Sequence, residues 1–286
     1  MRVFIAGIDG YLGWTLAQHL AEKGHTAGGC DSFIRRGCVA ETGSLSAVPI
    51  ARMEDRKAAF EEKFCGPLFF REGTLLDYGF VETCLRDFRP DAVVHLGQIP
   101  SAPYSMIDAE HAFFTQENNV LGNLNVVMAM RAECPDSHLL KLGTMGEYGT
   151  PAVDIPEGFF EVEFRGRCDR MFFPRRPGSI YHLTKVHDSH NVWFACRTWG
   201  LRATDIMQGV VYGAGIPGMN FDPRLATRFD FDQCFGTAVN RFCAQAVARE
   251  PITPYGSGRQ RRGFLPIEDS MQCLTLALEN PPEVGE

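Results

Sequence analysis

A tyrosine and a lysine four residues apart carry the clearest chemical pattern in the chain. Tyr181 and Lys185 lie in a segment with a helical pattern, and residues four apart on a helix point the same way. A lysine ammonium beside a phenol favours the phenolate and so lowers the pKa of the phenol, which is about 10 without such a neighbour. Upstream, Thr144 in the segment 143–149 offers a second hydroxyl, which could form a hydrogen bond to the substrate oxygen that the tyrosine deprotonates. The pattern predicts a base that removes a proton from a substrate hydroxyl.

A glycine-rich turn near the start of the chain predicts the site of a nucleotide cofactor. Gly7, Gly10 and Gly13 follow an apolar strand and open a helix. Backbone amides and the helix N-terminus can bind a pyrophosphate there. Asp31 ends the next strand, where a carboxylate accepts hydrogen bonds from ribose hydroxyls and repels a 2′-phosphate. The cofactor predicted is therefore NAD rather than NADP.

Two adjacent arginines near Asp31 can be assigned in more than one way. Arg35 and Arg36 follow Asp31 closely, and either could bind the NAD phosphates or a 2′-phosphate. They could equally belong to a solvated basic loop. We assign Arg36 to the cofactor as a hypothesis.

The elements that position these residues alternate between strand and helix. The predicted strands are Met1–Ala6, a weaker segment ending at Asp31, Pro67–Glu72, Asp91–Leu96, His138–Gly143 and Leu201–Gln208. The predicted helices are one opened by the glycine turn, Phe80–Phe88, Phe113–Glu133, Tyr181–Trp199 and Ala238–Ala248. This alternation predicts an α/β fold with a doubly wound parallel sheet of the Rossmann type. We expect a NAD-binding domain over residues 1–212 and a smaller, truncated substrate lobe over residues 213–286, interleaved with it.

Composition excludes several functional classes. The chain has 286 residues, a net charge of −7, and 45% hydrophobic and 22% charged residues, which argues for a globular protein and against non-specific nucleic-acid binding. No apolar run approaches the length of a membrane span. A strand that begins at Met1 leaves no room for a leader, and the ten cysteines lack metal or Cys-x-x-Cys spacing. We expect a cytoplasmic protein with reduced thiols and no metal.

Several segments resemble the extended short-chain dehydrogenase/reductases that act on nucleotide sugars, and most closely the UDP-sulfoquinovose synthase branch. They are Gly7–Tyr11, Ser101–Asp108, Lys141–Thr150, Tyr181–Leu183, Lys185–His190, Gln208–Gly213 and Phe235–Ala238. The resemblance implies NAD-dependent conversion of UDP-glucose and sulfite to UDP-sulfoquinovose. We also expect a homodimer.

The resemblance implies roles for the first three chemical residues. Tyr181 would deprotonate the glucose 4-hydroxyl while NAD takes the C4 hydride. Lys185 would lower the tyrosine pKa and hold the nicotinamide ribose, and Thr144 would bind the 4-oxygen. The resulting 4-ketone acidifies the C5 proton, water leaves from C6, sulfite adds to the enone, and the hydride returns to C4.

The later proton transfers need a further acid or base. Ordinary 4,6-dehydratases carry Asp-Glu after the threonine, but here Met145-Gly146 stand there. Glu147 and His182 are therefore the candidates for proton transfer at C5 and C6. Glu147 could instead be a carboxylate favoured at a helix start, and His182 a packed neighbour of Tyr181.

Other residues are assigned by the same resemblance. Asp77 and Asn119 would lie along the cofactor, although the residues before Asp77 depart from the family pattern. Gln208, Thr237 and Arg262 would bind the nucleotide sugar, and the Arg262 guanidinium suits a diphosphate.

Two departures bear on the sulfur donor. Gln98 replaces a family carboxylate and Pro100 a family arginine beside the expected reaction centre, so an anionic donor would miss a positive charge. Two alternatives therefore stay open. One is another NAD-dependent nucleotide-sugar epimerase or dehydratase, and the other is a NAD-binding regulatory or scaffold protein without turnover.

Overall fold

A six-stranded parallel sheet forms the centre of the molecule. The computed structural model describes residues 1–156, 158–216, 222–258 and 261–285. The strands are β1 Arg2–Ala6, β2 Thr26–Asp31, β3 Phe69–Glu72, β4 Ala92–His95, β5 His138–Thr144, β6 Phe159–Phe164, β7 Arg167–Phe172, β8 Arg202–Gln208, β9 Val210–Tyr212 and β10 Phe264–Pro266. The sheet order is β3-β2-β1-β4-β5-β8, and every pair in it is parallel. The predicted doubly wound fold is confirmed.

Helices cover both faces of this sheet. They are α1 Tyr11–Glu22, α2 Ile34–Glu41, α3 Met53–Phe64, α4 Tyr78–Phe88, α5 Ala109–Gln116, α6 Gly122–Glu133, α7 Ile180–Trp199, α8 Ala238–Ala248 and α9 Ile267–Glu279. Successive side chains of a strand point to opposite faces, so Val3 and Ile5 pack with α1, α3 and α9. Phe4 and Ala6 pack on the other face with α4, α6 and α7.

Glycine lets β2 fit at the centre of the sheet. A Cβ on Gly28 would lie 2.6 Å from the Phe88 ring, and one on Gly29 would overlap the Ile5 carbonyl oxygen. The two glycines weaken the strand signal in the sequence. In the fold they make room for the close approach of their neighbours.

The structure corrects several predicted boundaries. The helix predicted over Phe113–Glu133 begins at Ala109 and contains a π-helical turn at Glu117–Leu121. The third strand is shorter than predicted and begins at Phe69. Elements missed by the sequence pattern are α2, α3, α9, the antiparallel β6–β7 hairpin and the parallel pair of β9 with β10. Of the expected substrate lobe over residues 213–286, residues 217–221, 259–260 and 286 lie outside the described part.

Three general features concern the described residues as a group. The ten cysteines are all free thiols. In the described part of the chain, none of the helices combines the length and the apolarity that a bilayer crossing needs. The same residues contain no group of three or more His, Cys, Asp or Glu side chains placed to hold a metal ion.

Candidate functional site

A cleft of about 380 Å³ opens at the carboxyl ends of the parallel strands. Doubly wound sheets bind ligands at this edge, where the strand order reverses. Ten of the residues predicted from the sequence line it: Gly7, Gly10, Gly13, Asp31, Thr144, Tyr181, His182, Lys185, Gln208 and Thr237. The other five are described by the structure but are not among the lining residues: Arg36, Asp77, Asn119, Glu147 and Arg262.

The glycine turn forms a close-fitting backbone cradle at one end of the cleft. Gly7 has a φ of 89°, and a Cβ there would lie 2.6 Å from the Gly97 backbone. A Cβ on Gly13 would overlap the Gly7 carbonyl oxygen. Helix α1 begins at Tyr11, so its first amides have no partner within the helix and face the cradle. The cradle and the helix N-terminus fit the pyrophosphate of a dinucleotide.

Asp31 lies beside this cradle with a fixed carboxylate. Its Oδ2 accepts from the Asp9 amide at 2.9 Å and its Oδ1 accepts from the Phe33 amide at 2.8 Å. Burial, reinforced by the charge of Asp9, raises the pKa of Asp31 to about 6. Its position at the end of β2 fits an acceptor for ribose hydroxyls.

The titration of Asp31 predicts a pH-dependent cofactor preference. The preference for NAD over NADP should be strongest above pH 6 and weaken as pH falls through 6, because protonation removes the charge that repels a 2′-phosphate. For folding, the stability linked to the raised pKa is fully present below 3.8 and is lost as pH rises through about 6. Dissociation constants of both nucleotides on either side of pH 6 test the preference.

The 2′-phosphate of NADP also titrates, at about pH 6, so a control must separate its titration from that of Asp31. Asp31→Asn removes the carboxylate titration and leaves that of the phosphate. Its preference for NAD should be weak at every pH. If the unchanged protein and Asp31→Asn showed the same pH profile, Asp31 would not be the discriminating group.

The two arginines after Asp31 are separated by the structure. Arg36 is held by Asp9 through Nε at 2.8 Å and Nη2 at 2.6 Å. Arg35 does line the cleft, and its Nη2 donates to Asp230 at 2.7 Å. Arg36 was predicted to contact the cofactor and instead forms a carboxylate pair, because Asp9 offers a bidentate partner.

Two other residues that were predicted to contact the cofactor do not line the cleft. Their side chains form hydrogen bonds to backbone amides instead. Asp77 caps α4 by accepting from the Phe80 amide at 3.1 Å. Asn119 is buried in the π-helical turn and accepts from the Ile99 amide at 2.8 Å. Its neighbour Asn118 lines the cleft. The π turn shifts the helix register, which the periodicity of the sequence does not reveal.

Thr144, Tyr181 and Lys185 meet where β5 and α7 reach the cleft. The Lys185 Nζ donates to the Leu142 carbonyl at 2.7 Å and lies 5.9 Å from the centre of the Tyr181 ring. Thr144 ends β5 and caps the short turn that follows. The Ser105 hydroxyl accepts from the Tyr181 amide at 3.1 Å, which fixes the first turn of α7.

The charge environment of Tyr181 differs from the sequence prediction. Burial, followed by the negative charges of Glu147 and Asp188, raises the pKa of the Tyr181 phenol well above its usual value. Burial, together with the nearby Lys141 ammonium, lowers the pKa of Lys185 to about 8. The expected net lowering of the Tyr181 pKa is therefore not found, because burial and the two carboxylates outweigh the opposing charge of Arg35.

His182 occupies the space made by a missing side chain. Its Nδ1 lies 2.9 Å from the Ser179 hydroxyl, and a Cβ on Gly146 would overlap its Nε2. Burial, together with the charges of Arg262 and Lys185, lowers the pKa of His182. A neutral imidazole therefore lines the cleft and can accept a proton.

Glu147 lies in a buried ionic cluster behind the cleft. Its carboxylate is fully buried and contacts the Lys141 Nζ at 3.3 Å and the Arg175 Nη1 at 2.6 Å. It also accepts from the Thr144 amide at 3.3 Å. Both oxygens are thus used by the protein, so Glu147 is placed to position the turn after β5. Its predicted role in proton transfer is not supported by this placement.

A buried lysine was the signal in the sequence for this cluster. Lys141 stands in the otherwise apolar β5 and is fully buried, and its Nζ also contacts Ser189 at 2.8 Å and Asp205 at 3.1 Å. A lysine inside a buried strand needs charged partners. Lys141 thus implied a hidden carboxylate, but the sequence did not show which one.

Gln98 also takes a place that the sequence did not define. It lines the cleft, and its Nε2 donates to Asp188 at 2.5 Å. Burial raises the pKa of Asp188 to about 6. A second carboxylate at position 98 would face Asp188 directly, whereas the amide donates a hydrogen bond to it.

The residues assigned to the nucleotide sugar are only partly brought together. Gln208 lines the cleft and accepts from the Ser270 hydroxyl at 2.6 Å. Thr237 also lines it, and its buried Oγ1 has no hydrogen-bond partner within the described residues. Arg262 is exposed, and its Nη1 donates to the Arg261 carbonyl at 3.1 Å.

This fold and cleft define a protein of the Rossmann class with a site for a dinucleotide cofactor. The chain belongs to the NAD dependent epimerase/dehydratase family, whose model matches residues 3–286. Family membership confirms the predicted cofactor.

Named relatives narrow the resemblance within that family. The chain is 46% identical over 285 residues to the chloroplastic UDP-sulfoquinovose synthase of Spinacia oleracea, covering all of this chain and 59% of the relative. It is also 46% identical to the UDP-sulfoquinovose synthase of Sulfolobus acidocaldarius, covering 73% of that protein. The predicted resemblance to this branch is confirmed.

A solved structure confirms the fold independently. UDP-glucuronic acid 4-epimerase from Bacillus cereus, in complex with UDP-glucuronic acid and NAD, superimposes with a TM-score of 0.70. The sequence identity is 20%, and the match covers 99% of this chain and 75% of that chain.

Proposed function

We propose that the chain carries the NAD-dependent conversion of UDP-glucose and sulfite to UDP-sulfoquinovose through a 4-keto intermediate. The observation that carries the proposal is the convergence of Thr144, Tyr181 and Lys185 in the cleft that also contains the glycine cradle. The likeness to UDP-sulfoquinovose synthases along the whole chain supports this choice of substrates. A homodimer and a cytoplasmic location belong to the same proposal; the spinach relative is named as chloroplastic.

The residues at the cleft divide the first step between them. Bound NAD would supply the acceptor for the C4 hydride and a positive charge near the phenol. Tyr181 takes the proton of the 4-hydroxyl, and Thr144 donates a hydrogen bond to the same oxygen. Lys185 is protonated below its pKa of about 8, and its charge stabilises the phenolate. The glycine cradle at Gly7 would hold the pyrophosphate of the cofactor.

His182 is the residue that we assign to proton transfer at C5 and C6. It lines the cleft beside Tyr181, with ring centres 5.0 Å apart. The 4-ketone acidifies the C5 proton, so that a neutral imidazole can remove it. Elimination then releases the C6 hydroxyl as water, and sulfite adds to C6 of the enone while C5 regains a proton. Return of the hydride to C4 would complete a reaction without net oxidation.

Gly146→Ala tests the place of His182. The added methyl group would overlap the imidazole, so the ring must move. We expect hydrogen exchange at C5 of UDP-glucose to fall by about 10²-fold, the lower end of what general base catalysis contributes. Reduction of bound NAD should change little, because Tyr181 and Lys185 stay in place. Deuterium incorporation measured by mass spectrometry follows the exchange, and absorbance follows NADH.

Gly79→Ala is the matched control because Gly79 lies in α4, where an added Cβ approaches its nearest atom at 3.5 Å. It should leave exchange and reduction unchanged. Normal exchange in Gly146→Ala would remove His182 from the mechanism.

A second candidate function follows from Pro100. This proline lines the cleft where the synthase branch carries an arginine, so the positive charge for sulfite is missing at that position. A proline side chain offers neither charge nor a hydrogen-bond donor. We propose as the alternative that the chain performs the 4-keto chemistry on a nucleotide sugar, as an epimerase or dehydratase, with little sulfonation.

The experiment is incubation of the protein and NAD with UDP-glucose, with and without sulfite, followed by mass spectrometry. Formation of UDP-sulfoquinovose supports the first proposal. A UDP-4-epimer, a dehydrated product or C5 exchange alone supports the second. Under the second, Pro100→Arg should raise the sulfonated yield. Absence of NADH, exchange and product together would favour a NAD-binding protein without turnover.

A further inference from the structure

Asp9, in the middle of the glycine turn, has no assigned role although its carboxylate organises the adenosine end of the cleft. We propose that Asp9 is a specificity-determining positioning residue that excludes NADP. It does so by orienting Asp31 and by holding Arg36 and Arg56 away from the site of a 2′-phosphate. This inference rests on the NAD binding of the proposed function.

The Asp9 side chain is 2% exposed and is paired on both oxygens. Arg36 binds it in a bidentate manner, and the fully buried Arg56 donates Nη1 to its Oδ1. The Arg56 guanidinium also stacks on Trp14 at 3.9 Å and donates Nη2 to the Ala226 carbonyl at 3.3 Å. The arginines come from α2 and α3, so the pair ties both helices to the glycine turn.

The Asp9 backbone acts on the discriminating carboxylate. Its amide donates to the Asp31 Oδ2 at 2.9 Å, while the Phe33 amide holds Oδ1. Asp31 is therefore fixed in one orientation at the wall of the cleft. The position of the carboxylate that meets the ribose depends on the place of Asp9 in the turn.

The charged groups near Asp31 disfavour the binding of a phosphate. Arg36 and Arg56 are paired with Asp9, and Arg35 is paired with Asp230. Arg228 also pairs with Asp230, at 3.0 Å. A 2′-phosphate would thus meet the Asp31 charge while the guanidinium groups nearby are already held by carboxylates. Removing the Asp9 charge would release Arg36, whose side chain is 32% exposed, toward the ligand.

The test compares NAD and NADP binding to nucleotide-free protein by isothermal titration calorimetry. Asp9→Asn keeps the size of the side chain and removes its charge. We expect NADP affinity to rise by about tenfold, as one charge-assisted hydrogen bond would give, and NAD affinity to fall. The double variant Asp9→Asn/Arg36→Ala should lose the gain for NADP. Asp87→Asn, which removes an exposed pair with Arg71, is the matched control and should change neither affinity.

Several results would overturn the inference. A parallel loss of both affinities in Asp9→Asn, with an unchanged ratio, would show a merely structural role. If Asp9→Asn does not fold, Arg36→Gln decides: Arg56 still pairs with Asp9, so both affinities should stay within about twofold of those of the unchanged protein. A large loss in that variant would place Arg36 on the cofactor. Failure of the unchanged protein to bind NAD would overturn the proposed function and this inference together.

Discussion

Tyr181→Phe is expected to slow the reduction of bound NAD by UDP-glucose by about 10²–10⁴-fold, the usual contribution of a positioned acid or base. The phenol lines the cleft beside Thr144 and Lys185, and it is the only one of the three with an ionisable hydroxyl. Affinity for NAD should be unchanged, because the glycine cradle and Asp31 do not depend on the Tyr181 hydroxyl. Stopped-flow absorbance measures the reduction and calorimetry measures the binding.

Lys185 provides a second readout of the same unit. Lys185→Met should cost nearly as much as Tyr181→Phe, and the double variant little more than either, because residues that act together are non-additive. Tyr78→Phe, on the exposed side of α4, is the matched control and should behave like the unchanged protein. Rapid NADH formation by Tyr181→Phe would remove this tyrosine from the reaction.

Glu147→Gln is expected to lower the free energy of unfolding by about 3–5 kcal/mol, the usual cost of breaking a buried ion pair. Glutamine keeps an acceptor for the Thr144 amide but leaves the buried Lys141 and Arg175 without this carboxylate. Urea unfolding followed by circular dichroism measures the loss. Exchange at C5, measured where the variant is folded, should remain within about tenfold of the unchanged protein, which is less than a lost base would cost.

Glu62→Gln is a close control for this change. The Glu62 pair with Arg224 has nearly the same length, 2.7 Å, but both side chains are exposed. Its stability should be close to that of the unchanged protein, because solvent screens an exposed pair. A stable Glu147→Gln protein without C5 exchange would instead restore Glu147 as an acid or base at the substrate.

The local pattern of the sequence was sufficient to predict most of the central sheet and NAD as the cofactor. The strand His138–Thr144 is almost entirely buried, and the 20-residue helix Ile180–Trp199 is bounded by Ser179 at its start and Gly200 at its end, so local signals and burial agree. Gly7 to Gly13 and Asp31 could be recognised as a candidate cofactor site because they lie within one strand-helix-strand unit of the chain. The β6–β7 hairpin and the short pair of β9 with β10 were missed because their pairing partners are set by tertiary contacts.

The candidate site shows the same difference between local sequence signals and tertiary contacts. The types and spacing of Thr144, Tyr181 and Lys185 were sufficient to predict that they share a cleft, since the carboxyl end of a strand and the start of a helix meet there. The sequence could not say which charged groups are already paired.

Those pairings join residues far apart in the chain and were decided by the tertiary structure alone. Arg36 pairs with Asp9, and Glu147 pairs with Lys141 and Arg175, so neither predicted residue is free for a ligand. Burial then raises the pKa of Tyr181 although Lys185 is near. The sequence determined which chemical groups the protein has, while folding determined which remain available, because partner choice and desolvation depend on distances in space.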